Sequence, residues 1–125
     1  MLIFVYGTLM ANLPLSHILD NSEFLGVTVA GGVCLYNIGS YPAIKRGDGA
    51  VVGELYFVNN ETLQHLDIVE GFYADDLINS LYHRRNIKIL LPVISSDVYA
   101  YFYNCPVDKV AHIEGGDYRA YLNLI

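Results

Sequence analysis

The chain opens on an unbroken apolar run, LIFVY at residues 2–6, that stops at Gly7. A run of this length without alternation predicts a strand buried on both faces. Asn12 stands where it could cap a short helix reaching about Leu19, with Leu15, Ile18 and Leu19 turned inward. From Phe24 to Tyr36 the pattern is of β type, interrupted at Gly31-Gly32, where a bulge or sharp bend is expected. "YNIGSYPAI" reads as a loop leading into a short strand, and "KRGDGA" as the turn of a hairpin. Residues 50–58, AVVGELYFV, make the plainest strand of the chain. The stripe Leu63, Leu66 and Val69 predicts a helix that starts at Asn59 or Asn60 and is ended by Gly71.

After a polar loop, "LYHRRNIKILL" predicts a strand stopped by Pro92. Its parity is inconsistent: Tyr82 and Arg84 are even, Ile87 and Ile89 odd. Either a bulge falls near Arg85-Asn86 or the two pairs occupy opposite faces. "DVYAYFYN" predicts the last strand, with Tyr99, Tyr101 and Tyr103 alternating against Ala100 and Phe102, and "GGDYRAYLNLI" a terminal turn with a short helix. With no repeat, linker or low-complexity stretch, residues 1–125 read as one α+β domain, mostly strands with two or three short helices, arranged as a small barrel.

Composition narrows the function classes. Hydrophobic residues are 54% of the chain and charged residues only 16%, which excludes disorder. The formal net charge of −6 argues against nucleic acid or an anionic membrane as partner, since either demands a basic face. The basic residues come in short groups, Lys45-Arg46 and Arg84-Arg85, without a polybasic tract. "MLIFV" lacks the positive leader of a signal peptide, and no apolar run is long enough to cross a bilayer, so a cytoplasmic protein is expected. Cys34 and Cys105 have no CxxC spacing and are expected to be reduced thiols in the core.

Candidate chemistry is sparse. None of His17, His65, His83 and His112 pairs with another at metal-ligand spacing, and no serine-nucleophile signature is present. Gly7-Thr8-Leu9 is open to two readings, a plain strand-to-helix connection or a loop whose N–H groups hold an anionic or carbonyl oxygen. Two carboxylates break a local rule. Asp67 and Glu70 occupy the last turn of the predicted helix, where negative charge opposes the helix dipole by a few tenths to about 1 kcal/mol each. No lysine or arginine stands four residues before either. That placement, with partial burial beside Phe72 and Tyr73, would raise the pKa of Glu70 towards the range a general base needs. The alternative is a solvated helix end. Glu54 is the rival: it shares a strand face with Val52, Tyr56 and Val58, and an inward carboxylate needs partners such as Arg84, Tyr82 or other tyrosine hydroxyls. A structural or supporting role suits it better.

These stretches, in order along the chain, resemble the γ-glutamylcyclotransferase-like family. "VYGTL" at 5–9 is similar to its signature loop, "LYNIGSYPAI" to its Tyr-Pro turn, "VVGELY" at 51–56 to its central strand and "LDIVEG" at 66–71 to its acid-bearing helix end. "YHRRNIKI" at 82–89 and "GGDYRAYL" at 115–122 are similar to its closing strand and tail. "MANLP" and "YADDLIN" depart from the family pattern.

The resemblance implies a mixed β-barrel with helices packed outside and a pocket at one end. It implies conversion of a small γ-glutamyl amine or amino acid to 5-oxoproline, without cofactor or metal. It assigns Glu70 as the catalytic residue and Tyr6, Gly7, Thr8 and Leu9 to substrate binding, with Tyr41 of the Tyr-Pro turn and Tyr82 at the pocket. A non-catalytic module for a small carboxylate, on the same fold, is the competing reading. Oligomeric state and the amine half of the substrate are left open.

Overall fold

The opening apolar run becomes β1 (Leu2–Val5), near the middle of a six-stranded sheet ordered β4-β6-β1-β3-β2-β5. β1 pairs antiparallel with β3 (Pro42–Phe57), placing Val5 opposite Glu54, and parallel with β6 (Val98–Tyr103) on its other side. A strand flanked on both edges and covered on both faces has no use for polar side chains, and Ile3, Phe4 and Val5 are buried. β2 (Glu23–Asn37) pairs along nearly all of β3, and β5 (Lys88–Ile89) adds to its far edge. β4 (Tyr82–Asn86) closes the opposite edge against β6. The computed structural model describes residues 1–123. In it the mixed sheet curls into a half-barrel accompanied by two helices, α1 (Asn60–Val69) and α2 (Tyr118–Asn123), an α+β arrangement as expected. Leu124 and Ile125, the end of the predicted terminal segment, lie outside the described residues.

Neither cysteine lies in the core as expected, Cys34 being half-buried and Cys105, just beyond the end of β6, exposed. Three further local expectations change. "KRGDGA" is not a hairpin turn. It lies inside β3, where register jumps from Gly31↔Ala50 to Val33↔Arg46, so that Gly32 alone stands opposite Gly47-Asp48-Gly49. This is the bulge expected at Gly31-Gly32, seen from its partner strand, and glycines serve a bulge as readily as a turn. The actual turn is at residues 38–41, closed by Ile38 N–H donating to the Tyr41 carbonyl at 3.1 Å. Asn12 is no helix cap: its φ of 65° is left-handed, whereas a capping residue is extended. Helical backbone begins only at Ser16, as one 3₁₀ turn to Leu19, with Leu19 buried and Leu15 and Ile18 half-buried. The parity conflict in "LYHRRNIKILL" is met by an interruption at Ile87, one residue beyond the expected bulge. Before it β4 pairs with β6; after it β5 pairs with β2.

α1 keeps its predicted limits for visible reasons. Asn59 caps it, its side chain accepting from Thr62 N–H at 2.8 Å. At the other end Phe72 N–H bonds the Asp67 carbonyl at 2.8 Å and Gly71 N–H the Ile68 carbonyl at 3.1 Å. This paired closure requires a left-handed residue, and Gly71 supplies it at φ +63°. Leu66 is buried and Leu63 half-buried, while Val69 stays exposed. Gly71→Ala should lower unfolding stability by about 1–2 kcal/mol in urea titration, the cost of forcing an L side chain into this conformation.

Candidate active site

The residues expected at a site are scattered in sequence and gathered in space. Tyr6, Gly7, Thr8 and Leu9 from the loop after β1, Tyr41 from the β2–β3 turn, Glu70 from the end of α1 and Tyr82 from β4 all line one cavity of about 300 Å³. Sequence reasoning did not name its other walls, among them Phe4, Leu15, Pro42, Val69 and Leu81. Tyr101 also lines it, and the alternation of tyrosines along β6 was the available signal.

The loop after β1 is shaped by close contact. A Cβ built on Gly7 would lie 2.5 Å from Pro42 Cγ, so only hydrogen fits where the loop passes the Tyr41-Pro42 turn. Beyond Gly7 the backbone is braced: Met10 N–H donates to the Gly7 carbonyl at 3.0 Å and Leu15 N–H to the Thr8 carbonyl at 2.9 Å. Among the described residues, the N–H groups of Gly7, Thr8 and Leu9 donate to no protein acceptor. Three successive unengaged donors beside a cavity are the feature that an anionic or carbonyl oxygen would complete.

Glu54 is buried and fully employed elsewhere. Its Oε1 accepts from Ala11 N–H at 2.8 Å and from the Tyr56 hydroxyl at 3.0 Å, and its Oε2 from Arg119 at 3.0 Å. The partners expected for it, Arg84 and Tyr82, are engaged with other groups. Arg84 Nη1 donates to both oxygens of Asp67, at 2.7 and 2.6 Å, and its guanidinium sits 5.3 Å from the centre of the Phe72 ring. The Tyr101 hydroxyl adds a third bond to Asp67 Oδ1 at 2.6 Å. The compensation missing within the helix thus arrives from β4 and β6.

Glu70 receives none. Among the described residues no protein group donates to its carboxylate, and burial in the cavity pushes its pKa from 4.5 up to about 7. Four tyrosines line the same space, and two of them donate to backbone carbonyls. The Tyr6 hydroxyl donates to the Tyr101 carbonyl at 2.6 Å, and the Tyr82 hydroxyl to the Pro42 carbonyl at 3.0 Å. Burial first, and the neighbouring phenol and Glu70 charges second, push both well above the usual tyrosine range, so they remain neutral. Their protons are committed, which leaves their oxygens to accept from a bound N–H group. The arrangement can therefore exchange a proton at Glu70 near neutral pH and offer backbone donors in the same cavity. Among the described residues no group of three His, Cys, Asp or Glu side chains could hold a metal ion.

The raised pKa has a sign that can be checked. Folding favours the neutral form of Glu70, so its contribution to stability is complete below about pH 4.5 and is lost as pH rises towards 7. Urea midpoints measured in parallel should show the unmodified protein losing stability relative to Glu70→Gln across that window, and no further relative change above it.

A family model described as "Gamma-glutamyl cyclotransferase, AIG2-like" matches residues 3–120. Gamma-glutamylcyclotransferase family protein YtfP of Escherichia coli strain K12 is 36% identical over 94% of this chain and 96% of its own length. The solved AIG2-like protein from Mus musculus superposes with a TM-score of 0.71 at 25% identity, covering 94% of this chain and 86% of its own. An uncharacterized protein from Pyrococcus horikoshii, at 23% identity, shares the fold with a TM-score of 0.80 over 99% of this chain and 94% of its own. Because the family match begins within β1 and ends within α2, taking in every strand of the half-barrel, the chain belongs to the AIG2-like γ-glutamylcyclotransferase family.

Proposed function

We propose that the protein converts a small γ-glutamyl amine or γ-glutamyl amino acid to 5-oxoproline and the free amine. The observation that carries this reading is the meeting, in one cavity, of a carboxylate with a pKa near 7 and three unengaged backbone donors. In the reaction the substrate's α-amino nitrogen attacks its own γ-carbonyl carbon. A C–N bond forms to close the five-membered ring, the original γ-amide C–N bond breaks, and the leaving nitrogen departs as an amine.

Two proton movements accompany this exchange. The ammonium must lose a proton before its nitrogen can attack, and the leaving nitrogen must gain one. Glu70 performs both in turn, as base and then as acid, and a pKa close to ambient pH suits it to each. Gly7, Thr8 and Leu9 N–H groups hold the substrate's α-carboxylate or the oxyanion that develops on the γ-carbonyl. The Tyr6 and Tyr82 oxygens accept from the substrate's N–H groups and help orient the amine. So few groups suffice because nucleophile and electrophile belong to one molecule. The covalent link already supplies much of the entropic cost of bringing them together.

The competing reading, a binding module for a small carboxylate, predicts the same pocket but needs no proton acceptor. Glu70→Gln separates the two, since it keeps the side chain's size and cannot accept a proton from an ammonium. Release of 5-oxoproline from a panel of γ-glutamyl amines and amino acids should fall at least ~10²-fold. Binding of 5-oxoproline, which has no ammonium, should be nearly unchanged. Full activity in the variant would remove Glu70 from the mechanism. Absence of turnover in both proteins, with equal binding of 5-oxoproline, would favour the binding module.

A further inference from the structure

The two basic pairs of the sequence are divided by the fold. Successive residues of β4 and β6 point to opposite faces of the sheet, so Tyr82 and Tyr101 line the cavity above while His83 and Phe102 line a second cleft of about 260 Å³. Arg84 pairs with Asp67. Arg85 instead joins Lys45 and Arg46 at this second cleft.

The chain has 13 acidic and 7 basic residues, yet three of the seven gather here, and among the described residues no carboxylate lines the cleft. Among the described residues the ion pairs are Arg84–Asp67 and Arg119–Glu54; the cleft cations have none. They are held by neutral groups. Lys45 Nζ donates to the Tyr103 and Cys105 carbonyls, each at 3.0 Å, and Arg46 Nη2 donates to the Asn86 carbonyl at 2.7 Å while its guanidinium lies 4.2 Å from the centre of the Phe102 ring. Arg85 Nη2 donates to His83 Nδ1 at 2.7 Å, and the buried His83 ring is fixed in turn by Nε2 donating to the Leu77 carbonyl at 2.7 Å.

We infer that this cleft is a second ligand site, one that takes the phosphate group of a small phosphorylated molecule. A guanidinium has five N–H donors, and Arg46 and Arg85 each use one within the protein. The planar forks that remain match the oxygens of a tetrahedral anion, and Lys45 adds a third positive charge. Both guanidinium groups are already immobilised, against Phe102 and His83, so little side-chain freedom is left to lose on binding. Three like charges held together repel one another, and an anion relieves that repulsion. The cleft's size favours a small molecule over a polymer, and the net charge of −6 opposes nucleic acid.

The test is titration of the ¹⁵N-labelled protein with inorganic phosphate, pyrophosphate and, as a dianion whose charges sit on planar carboxylates instead of a tetrahedral group, succinate. Saturable shifts are expected with phosphate and pyrophosphate at the amides of His83, Phe102, Tyr103 and Asn104, weakening as sodium chloride is raised. Arg46→Gln/Arg85→Gln should reduce affinity at least about tenfold, each guanidinium–phosphate bond being charge-assisted. Its spectrum should stay dispersed, and release of 5-oxoproline should match the unmodified protein. Arg85→Gln alone provides the same readout if the double variant does not fold. Absence of saturable shifts would overturn the inference. So would shifts confined to residues 7–9, equal affinity in the arginine variant, or succinate binding as tightly as phosphate. Preferential binding of a single-stranded RNA oligonucleotide would replace the small molecule with a polymer.

Discussion

The candidate site depends on a carboxylate that takes no part in it. Glu54 is buried near the C-terminal end of β3, and an ion there is tolerable only if its oxygens are satisfied. The three groups that satisfy them come from three places: Ala11 N–H from the loop after β1, the Tyr56 hydroxyl from β3 itself, and Arg119 from α2. Arg119 also donates to the Ala11 carbonyl at 2.9 Å, so both polar groups of one peptide residue are tied to the same ion pair. The loop that begins at Gly7 is thereby fastened at its far side to the sheet, while Pro42 presses on its near side. Between these two anchors the N–H groups of residues 7–9 have one place to be. Arg119 is partly exposed, but the Glu54 carboxylate it meets is buried, so losing any of its partners leaves a buried oxygen unsatisfied.

The end of α1 shows how one fold sends two similar residues to different fates. Asp67 and Glu70 are three residues apart and both oppose the helix dipole. Asp67 meets Arg84 and Tyr101 and becomes a fixed, charged strut between helix and sheet. Glu70 is the capping residue of the turn that Gly71 closes, so its side chain departs where the helix stops and enters the cavity. The Arg84 charge that could have lowered its pKa is already neutralised by Asp67. Burial then acts on Glu70 unopposed, and its pKa rises to about 7.

Much of this was legible in the sequence where the signal was local. The apolar run of β1, the limits of α1 and the rule broken at Glu70 each follow from a few adjacent residues, and each has its counterpart in the structure. Readings failed where partners distant in sequence decided the outcome. "KRGDGA" has the composition of a turn, but β2 pairs past it on both sides, and continuous pairing converts the glycines into a bulge. Asn12 has the chemistry of a cap, but its neighbour Ala11 is held by Glu54, and the backbone turns left-handed instead of starting a helix. The partners of Glu54 and Asp67 were misplaced or missed for the same reason. Helix spacing reports only i±4 neighbours, whereas Arg119 and Arg84 arrive from α2 and β4.

The sheet also explains how so small a chain keeps two different electrostatic environments apart. Alternation along β4 and β6 sends Tyr82 and Tyr101 to a wall where, among the described residues, Glu70 is the only carboxylate, and His83 and Phe102 to a wall whose charges, among the described residues, are Lys45, Arg46 and Arg85. Were Arg85 on the cavity side, its charge would stabilise ionised Glu70 and pull its pKa back towards the ordinary carboxylate range. One residue of register separates these outcomes. The interruption at Ile87 lets β4 keep its pairing with β6 while the chain beyond it changes partner to β2, so the face assigned to each arginine is protected from the parity demanded by Ile87 and Ile89. An irregular strand, rather than a regular one, is what allows a proton-exchanging carboxylate and a cluster of cations to coexist across a single layer of backbone.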